Sequence, residues 1–341
     1  MKGKLTKKKL DELRKQLVRK PQLVWDVLET KEKKKVFGFA ERYKRFLNEA
    51  KTEREAVHFI EAFAKKRGFK DITRSKRGKK FYKIHRNKSI ALAVVGKKPL
   101  VSGLNLVASH VDSPRLDLKQ NPLYEQVDLA FLKTHYYGGI KKYQWLARPL
   151  ALHGKILKKD GTQVDLRVGE AEDDPIFTIA DLLPHLSHKL QTDKKVSEAF
   201  EGEKLNVLVG GLPIGDAETT ERFKLAVLEY LFARYGIVEE DLMCSEFEVV
   251  PAGRARDVGW DRSLVGGYGQ DDRVCVFASM EAVGKVNAPA TTAAAARWPR
   301  PAPAASSRAA PIRAPCLSRI SSVRRSASRR TRGASGRSWK S

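Results

Sequence analysis

The stretch Leu104-Asn-Leu-Val-Ala-Ser-His110-Val-Asp112-Ser-Pro-Arg115 decides how this 341-residue chain is read. Leu104, Leu106, Val107 and Ala108 predict a buried strand, and Pro114 ends it because proline has no N–H for a ladder. His110 and Asp112 are two residues apart at the strand's carboxyl end. Side chains alternate along a strand, so both point into one pocket. In open α/β sheets that end of the strand is where ligands bind. Two meanings stay open at this level. The pair is a strand-end histidine beside a solvated aspartate. Or it is a metal ligand whose second ring nitrogen is held by a carboxylate, which fixes tautomer and ring orientation.

Working outward, Thr52-Glu-Arg-Glu55 is a capping box that opens a helix with an apolar stripe of Ala56, Phe59, Ile60, Phe63 and Ala64, closed by Gly68. Upstream, residues 5–47 show helical spacing of Leu and Phe among Lys and Arg. Strands are expected at 69–73, 81–85 and 89–95, leading into the decisive strand. From 116 to 250 the character is β-rich, with strands expected at 147–157, 164–168, 205–212 and 246–250 and a helix at 219–235. Gly266-Gly-Tyr-Gly-Gln-Asp271-Asp272 then returns the chain to a helix over 273–283. Asp271 and Asp272 fall at its N-terminus, where they either cap the helix or ligate a metal. The order of elements predicts an α/β fold with a mixed sheet, interrupted by a second, β-rich domain. The expected divisions are 1–115 and 251–285 for the two parts of the main domain, 116–250 for the insertion and 286–341 for a tail.

Composition narrows the function classes. Hydrophobic residues make up 42%, enough to fill a core. Three cysteines without motif spacing point to a reducing compartment, and no apolar run is long enough to span a bilayer, so a cytoplasmic protein with no membrane partner is expected. The net charge of +26 would ordinarily suggest nucleic acid, but much of it comes from the end of the chain, and elsewhere Lys is spread over solvated faces.

Three separated motifs carry a resemblance. They are Ser109-His110-Val-Asp112-Ser-Pro-Arg-Leu-Asp-Leu-Lys119, the run from Tyr136-Tyr-Gly-Gly-Ile to Leu-His-Gly154, and Gly266-Gly-Tyr-Gly-Gln-Asp-Asp-Arg273. In this order they closely resemble the M18 family of zinc metalloaminopeptidases, relatives of aspartyl aminopeptidase, in its bacterial branch. The resemblance covers about Leu5 to Lys285. It implies a zinc-peptidase catalytic domain with an inserted oligomerisation domain, two zinc ions per subunit, removal of single N-terminal residues from peptide substrates, and a homo-oligomer that is typically a dodecamer. It implies His110 as a zinc ligand, Asp112 as the carboxylate orienting it, and Asp271, beside Asp272, as the carboxylate bridging both ions. It also implies that His185, in Pro184-His185, is lent to a neighbouring subunit's site.

The family pattern then stops. After Glu281 the chain has no Asp or Glu, and after His188 no His. The later metal ligands and the general-base Glu that the family places beyond the bridging Asp are absent. The segment is built from Ala, Arg, Pro and Ser in an otherwise Lys-rich protein. The expectation is an out-of-frame translation from about Val286, the C-terminal part of the catalytic domain missing, and an inactive chain. The other class of function is a non-catalytic basic scaffold whose disordered tail binds nucleic acid. With only Trp298 and Trp339 to stack on bases, nucleic acid is not the expected partner.

Overall fold

The computed structural model describes residues 6–299. Helices α1 (Lys7–Leu17), α2 (Val24–Val27), α3 (Thr30–Glu49) and α4 (Glu53–Lys66) come first. Strands β1 (Lys70–Asp71), β2 (Lys80–His85), β3 (Ser89–Val94) and β4 (Leu104–His110) follow. Then come β5 (Arg115–Gln126), β6 (Leu129–Tyr137), β7 (Leu150–Leu157) and β8 (Gln163–Val168). Helices α5 (Pro184–Leu190) and α6 (Val196–Ala199), strand β9 (Val207–Gly210), helices α7 (Arg222–Tyr235) and α8 (Glu239–Met243), and strand β10 (Glu246–Pro251) complete that region. The chain closes with the hairpin β11 (Arg256–Val258) and β12 (Leu264–Gly266), helix α9 (Gln270–Lys285) and strand β13 (Thr292–Trp298).

Two larger sheets result. The first runs β1-β2-β3-β13-β4 and is mixed, with β13 antiparallel to β3 and parallel to β4. The second runs β8-β7-β10-β5-β6-β9 and is antiparallel throughout. The mixed α/β architecture is the one expected. Along β3 every second residue (Ile90, Leu92, Val94) is buried, the alternation of a strand with one covered face. The cover is α3, α4 and α9. Phe277 of α9 sits among Phe39, Tyr43 and Phe46 with ring centroids 5.0, 5.3 and 5.7 Å away. The second sheet has its own core, including Leu116, Trp145, Leu150, Ile156, Val207 and Phe247.

Two differences from the sequence reading have physical causes. Strand β4 forms where expected but is not buried: Leu106 and Val107 are 45% and 52% exposed. It is the sheet's edge, and among the described residues nothing pairs with its free side. The hairpin between β5 and β6 turns at Val127-Asp128, both at positive φ (48° and 59°). A two-residue turn of this kind normally announces itself by Gly or Asn. Valine there gives no such signal.

The segment expected to be tail from Val286 also differs. Residues 292–298 enter the middle of the first sheet as β13, and the rest of the expected tail, from 300, lies outside the described residues. The insertion brings Arg297 into the core, 1% exposed. Its guanidinium donates to the Val276 carbonyl and to Ser279 Oγ (2.6 Å), and Nη1 finds no partner. Burial alone pulls its pKa down to about 10. No carboxylate pairs with it among the described residues.

The two sheets are joined through the first turn of α4. Thr52 caps this helix as its sequence dictates, and Glu55 Oε2 accepts from the Thr52 amide at 3.0 Å. The other oxygen of Glu55 meets His153 Nδ1 of β7 at 2.8 Å, and His153 Nε2 lies 3.2 Å from Glu170. Lys51 Nζ reaches Glu170 at 2.5 Å and the carbonyls of Pro251 and Gly253. Burial works against the charged imidazolium of His153, but the two carboxylates outweigh it and raise its pKa above 6.5. Burial likewise raises Glu55, yet His153 holds it at about 2.

Two predictions follow from this packing. A histidine raised in the folded state stabilises fully below its ordinary 6.5, and that contribution is lost as pH rises through the folded value. The Glu55 contribution is present above 4.5 and is lost as pH falls towards about 2. Urea midpoints should therefore decline on the alkaline side of 6.5, and H153N should be less stable under mild acid and fall less steeply. A wild-type midpoint that stays level or rises over that interval contradicts this. Second, R297M should raise unfolding free energy by about 1–3 kcal/mol, because an unpaired buried charge is replaced by an apolar chain of similar reach. A fall in the urea midpoint would refute it.

Candidate metal centre

The edge strand β4 delivers His110 to its carboxyl end. The ring is fixed from behind. Nδ1 lies 3.0 Å from the Asp112 carbonyl and 3.2 Å from Asp112 Oδ1. Asp112 is 3% exposed, and its other oxygen accepts from the Tyr137 hydroxyl at 3.0 Å. Tyr137 is set in turn by the β5–β6 register, which pairs it with Arg115. The Arg115 guanidinium lies 4.2 Å from the centroid of the Tyr137 ring, a cation–π contact.

Arg115 is itself held by Glu53 (3.0 Å), Asp117 (2.6 Å) and Glu248 (3.3 Å). One cation thus meets three carboxylates in a buried space. Burial, and then the charge of Glu53, pushes the Glu248 carboxyl well above its usual range, with Arg115 opposing.

Asp271 arrives from the other side. Gly269 adopts φ 84°, and a Cβ there would collide with the Arg273 guanidinium, so glycine is required. Asp271 and Asp272 have non-helical backbone angles and are joined by a cis peptide bond. The N-cap position is Gly269, which offers no side-chain cap, and both aspartates fall in the helix's kinked first turn. Ser113 Oγ donates to the Asp271 carbonyl at 2.9 Å, which ties the two motifs together. The result is His110 Nε2 facing Asp271 Oδ1 at 3.4 Å, with the Asp271 side chain 73% exposed.

This spacing can be tested against zinc. A tetrahedral ion with ligands at roughly 2.0–2.2 Å separates its donor atoms by about 3.3–3.5 Å. His110 and Asp271 match one edge of such a polyhedron. The match stops there. Catalytic zinc takes three protein ligands, and among the described residues no group of three or more His, Cys, Asp or Glu could hold a metal ion. On the strand neighbouring β4, the backbone register sets Arg297 beside Ser109 and Trp298 beside His110, and neither residue type is a zinc ligand. The residues present do not fit a complete zinc centre.

The profile of the Aminopeptidase I zinc metalloprotease (M18) family matches residues 46–295. The chain belongs to the M18 peptidase family. It is 48% identical over 267 residues to a probable M18 family aminopeptidase 1 of Borrelia garinii subsp. bavariensis, covering 77% of this chain and 58% of the relative. A probable M18 family aminopeptidase 1 of Clostridium acetobutylicum is 48% identical over 266 residues, covering 76% and 57%. The crystal structure of an M18-family aminopeptidase from Thermotoga maritima superposes with a TM-score of 0.77 at 42% identity, over 82% of this chain and 61% of that one. This M18 chain therefore spans under two thirds of the length of the relatives it matches.

Of the residues singled out from sequence, the structure brings His110, Asp112 and Asp271 together. His185 is on α5 and exposed. Sequence reasoning missed Tyr137, Ser113 and Arg115 as supports of the site. All three lie within the quoted motifs, but their roles depend on register: Tyr137 meets Arg115 only through the hairpin that turns at Val127-Asp128.

Y137F keeps the ring over Arg115 and removes the donor to a buried carboxylate. It should cost about 1.5–3 kcal/mol, the value of a hydrogen bond to a charged group. Urea unfolding measures this, and an unchanged midpoint would show that the hydroxyl does not hold Asp112.

Proposed function

We propose that the site is the surviving half of a dizinc aminopeptidase centre, which in its complete form removes single N-terminal residues from peptides. The observation that carries this is the convergence of His110 and Asp271 at zinc-ligand spacing, with Asp112 fixing the ring from behind. In this reading His110 is a ligand, Asp271 is the bridging carboxylate, and Asp112 is the orienting group. In the complete form of such a centre, bound metal would supply polarisation of a scissile carbonyl and a lowered pKa for a bound water. The chain's own part is the His110 ring, held in one orientation by Asp112, with the Asp271 carboxylate facing it.

This chain is read as inactive. It supplies no acidic residue after Glu281 from which a general base or further ligands could be drawn, and Arg297 and Trp298 stand on the strand beside the site. An altered reading frame from near residue 286 accounts for the change in composition. The register of β13 allows this, since an all-alanine run from Ala293 to Ala296 can occupy a strand without specifying its ends.

A homo-oligomer belongs to the same proposal. A yeast member is described as a dodecamer. Here α5 exposes Leu183, Leu186 and Leu190 around His185, an apolar face suited to a neighbouring subunit.

The test is release of N-terminal residues from short peptides by the purified 341-residue chain supplied with zinc, cobalt or manganese. Release at background level is expected. A version with the reading frame restored after residue 286 should show metal-dependent release that H110A abolishes. Brisk release by the present chain would overturn the inactivity, and a silent restored version would overturn the peptidase reading.

A further inference from the structure

Helices α1 and α2 precede the stretch matched by the family profile, and neither contains a buried residue. On α1, Leu10, Leu13 and Leu17 fall within about 60° of one another at roughly 100° per residue. Lys7, Lys9 and Arg14 border that stripe, while Asp11 and Glu12 lie on the far side together with Lys8 and Lys15. Between Thr6 and Lys20 there are seven Lys or Arg against two acidic residues. The apolar exposure continues beyond the helix: Leu17 is 73% exposed, Leu23 60% and Val24 62%. Trp25 stacks on the exposed Phe37 with centroids 6.0 Å apart.

A solvated helix face explains lysines but not leucines turned to water. A leucine stripe edged by cations, with a charged face opposite, is the arrangement that lies flat in a lipid interface: the apolar side enters the acyl boundary, and lysines reach up to anionic headgroups. We propose that residues 7–27 are an interfacial anchor for an anionic lipid bilayer. The segment lies on the surface and does not cross it, since no helix among the described residues is long and apolar enough to span. The inference uses no residue of the metal centre and stands or falls independently of the peptidase reading.

The experiment is co-sedimentation of the full chain with vesicles of phosphatidylcholine alone, or of phosphatidylcholine and phosphatidylserine in equal parts. Binding to the anionic vesicles at least about ten-fold tighter than to neutral ones is expected, weakening as salt rises from about 0.05 to about 0.5 M. The double variant Leu10→Glu, Leu17→Glu should lose that binding while its thermal melting stays unchanged, because α1 buries nothing. Three outcomes overturn the proposal. The chain may show no preference for anionic vesicles. The double variant may bind as well as the parent, which would mean plain polycation attraction. Or soluble polyglutamate may displace the chain from vesicles completely, which would mark an acidic polypeptide as the partner.

Discussion

The structure depends on the way the first turn of α4 is tied into the second sheet. Glu53 and Glu55 leave the same helical turn and reach Arg115 and His153, on β5 and β7. The capping box makes this possible. With Thr52 and Glu55 satisfying the orphan amides, the helix starts at a fixed point, and its first-turn acids have fixed directions. The helix then covers the first sheet with its apolar face while its acidic end grips the second. Removing one partner from such a buried ionic set leaves an uncompensated charge, so the set specifies one arrangement of the two sheets more than it adds net stability.

The geometry around His110 is inherited from that joint. Arg115 is held by Glu53, Asp117 and Glu248; it orders the Tyr137 ring; Tyr137 donates to Asp112; and Asp112 sits behind His110. Each step is a short contact between buried or half-buried groups. The orientation of His110 is therefore set by residues on both sheets. Asp271, mostly exposed, is positioned by backbone instead: a positive-φ glycine and the Ser113 hydroxyl fix where its carbonyl lies.

Strand β13 shows how little sequence is needed to occupy a vacant track in a sheet and how much is needed to suit it. Alanine fits any pleat, so Ala293–Ala296 pair on both sides. Arg297 then falls where the packing under α9 calls for an apolar side chain. Its charge is met only by a carbonyl and a hydroxyl. The local sequence and the global fold disagree at this point. The exposed Leu106 and Val107 of β4 point the same way: an apolar strand sits at an edge that the described residues leave open.

Much was legible from sequence. The helix start at Thr52, the end of β4 ahead of Pro114, and the placing of His110 and Asp271 at the ends of a strand and a helix all follow from local rules of capping, alternation and proline chemistry. The three motifs gave the family. What sequence could not supply were relations between distant segments. That β13 would separate β3 from β4, that Tyr137 would face Asp112, and that Glu248 would share Arg115 with Glu53 depend on registers and on a turn at Val127-Asp128 without the usual residues. Local chemistry names the groups and their spacing along the chain. Only the packed sheets decide which of those groups meet, because burial and hydrogen-bond satisfaction are settled between segments, not within them.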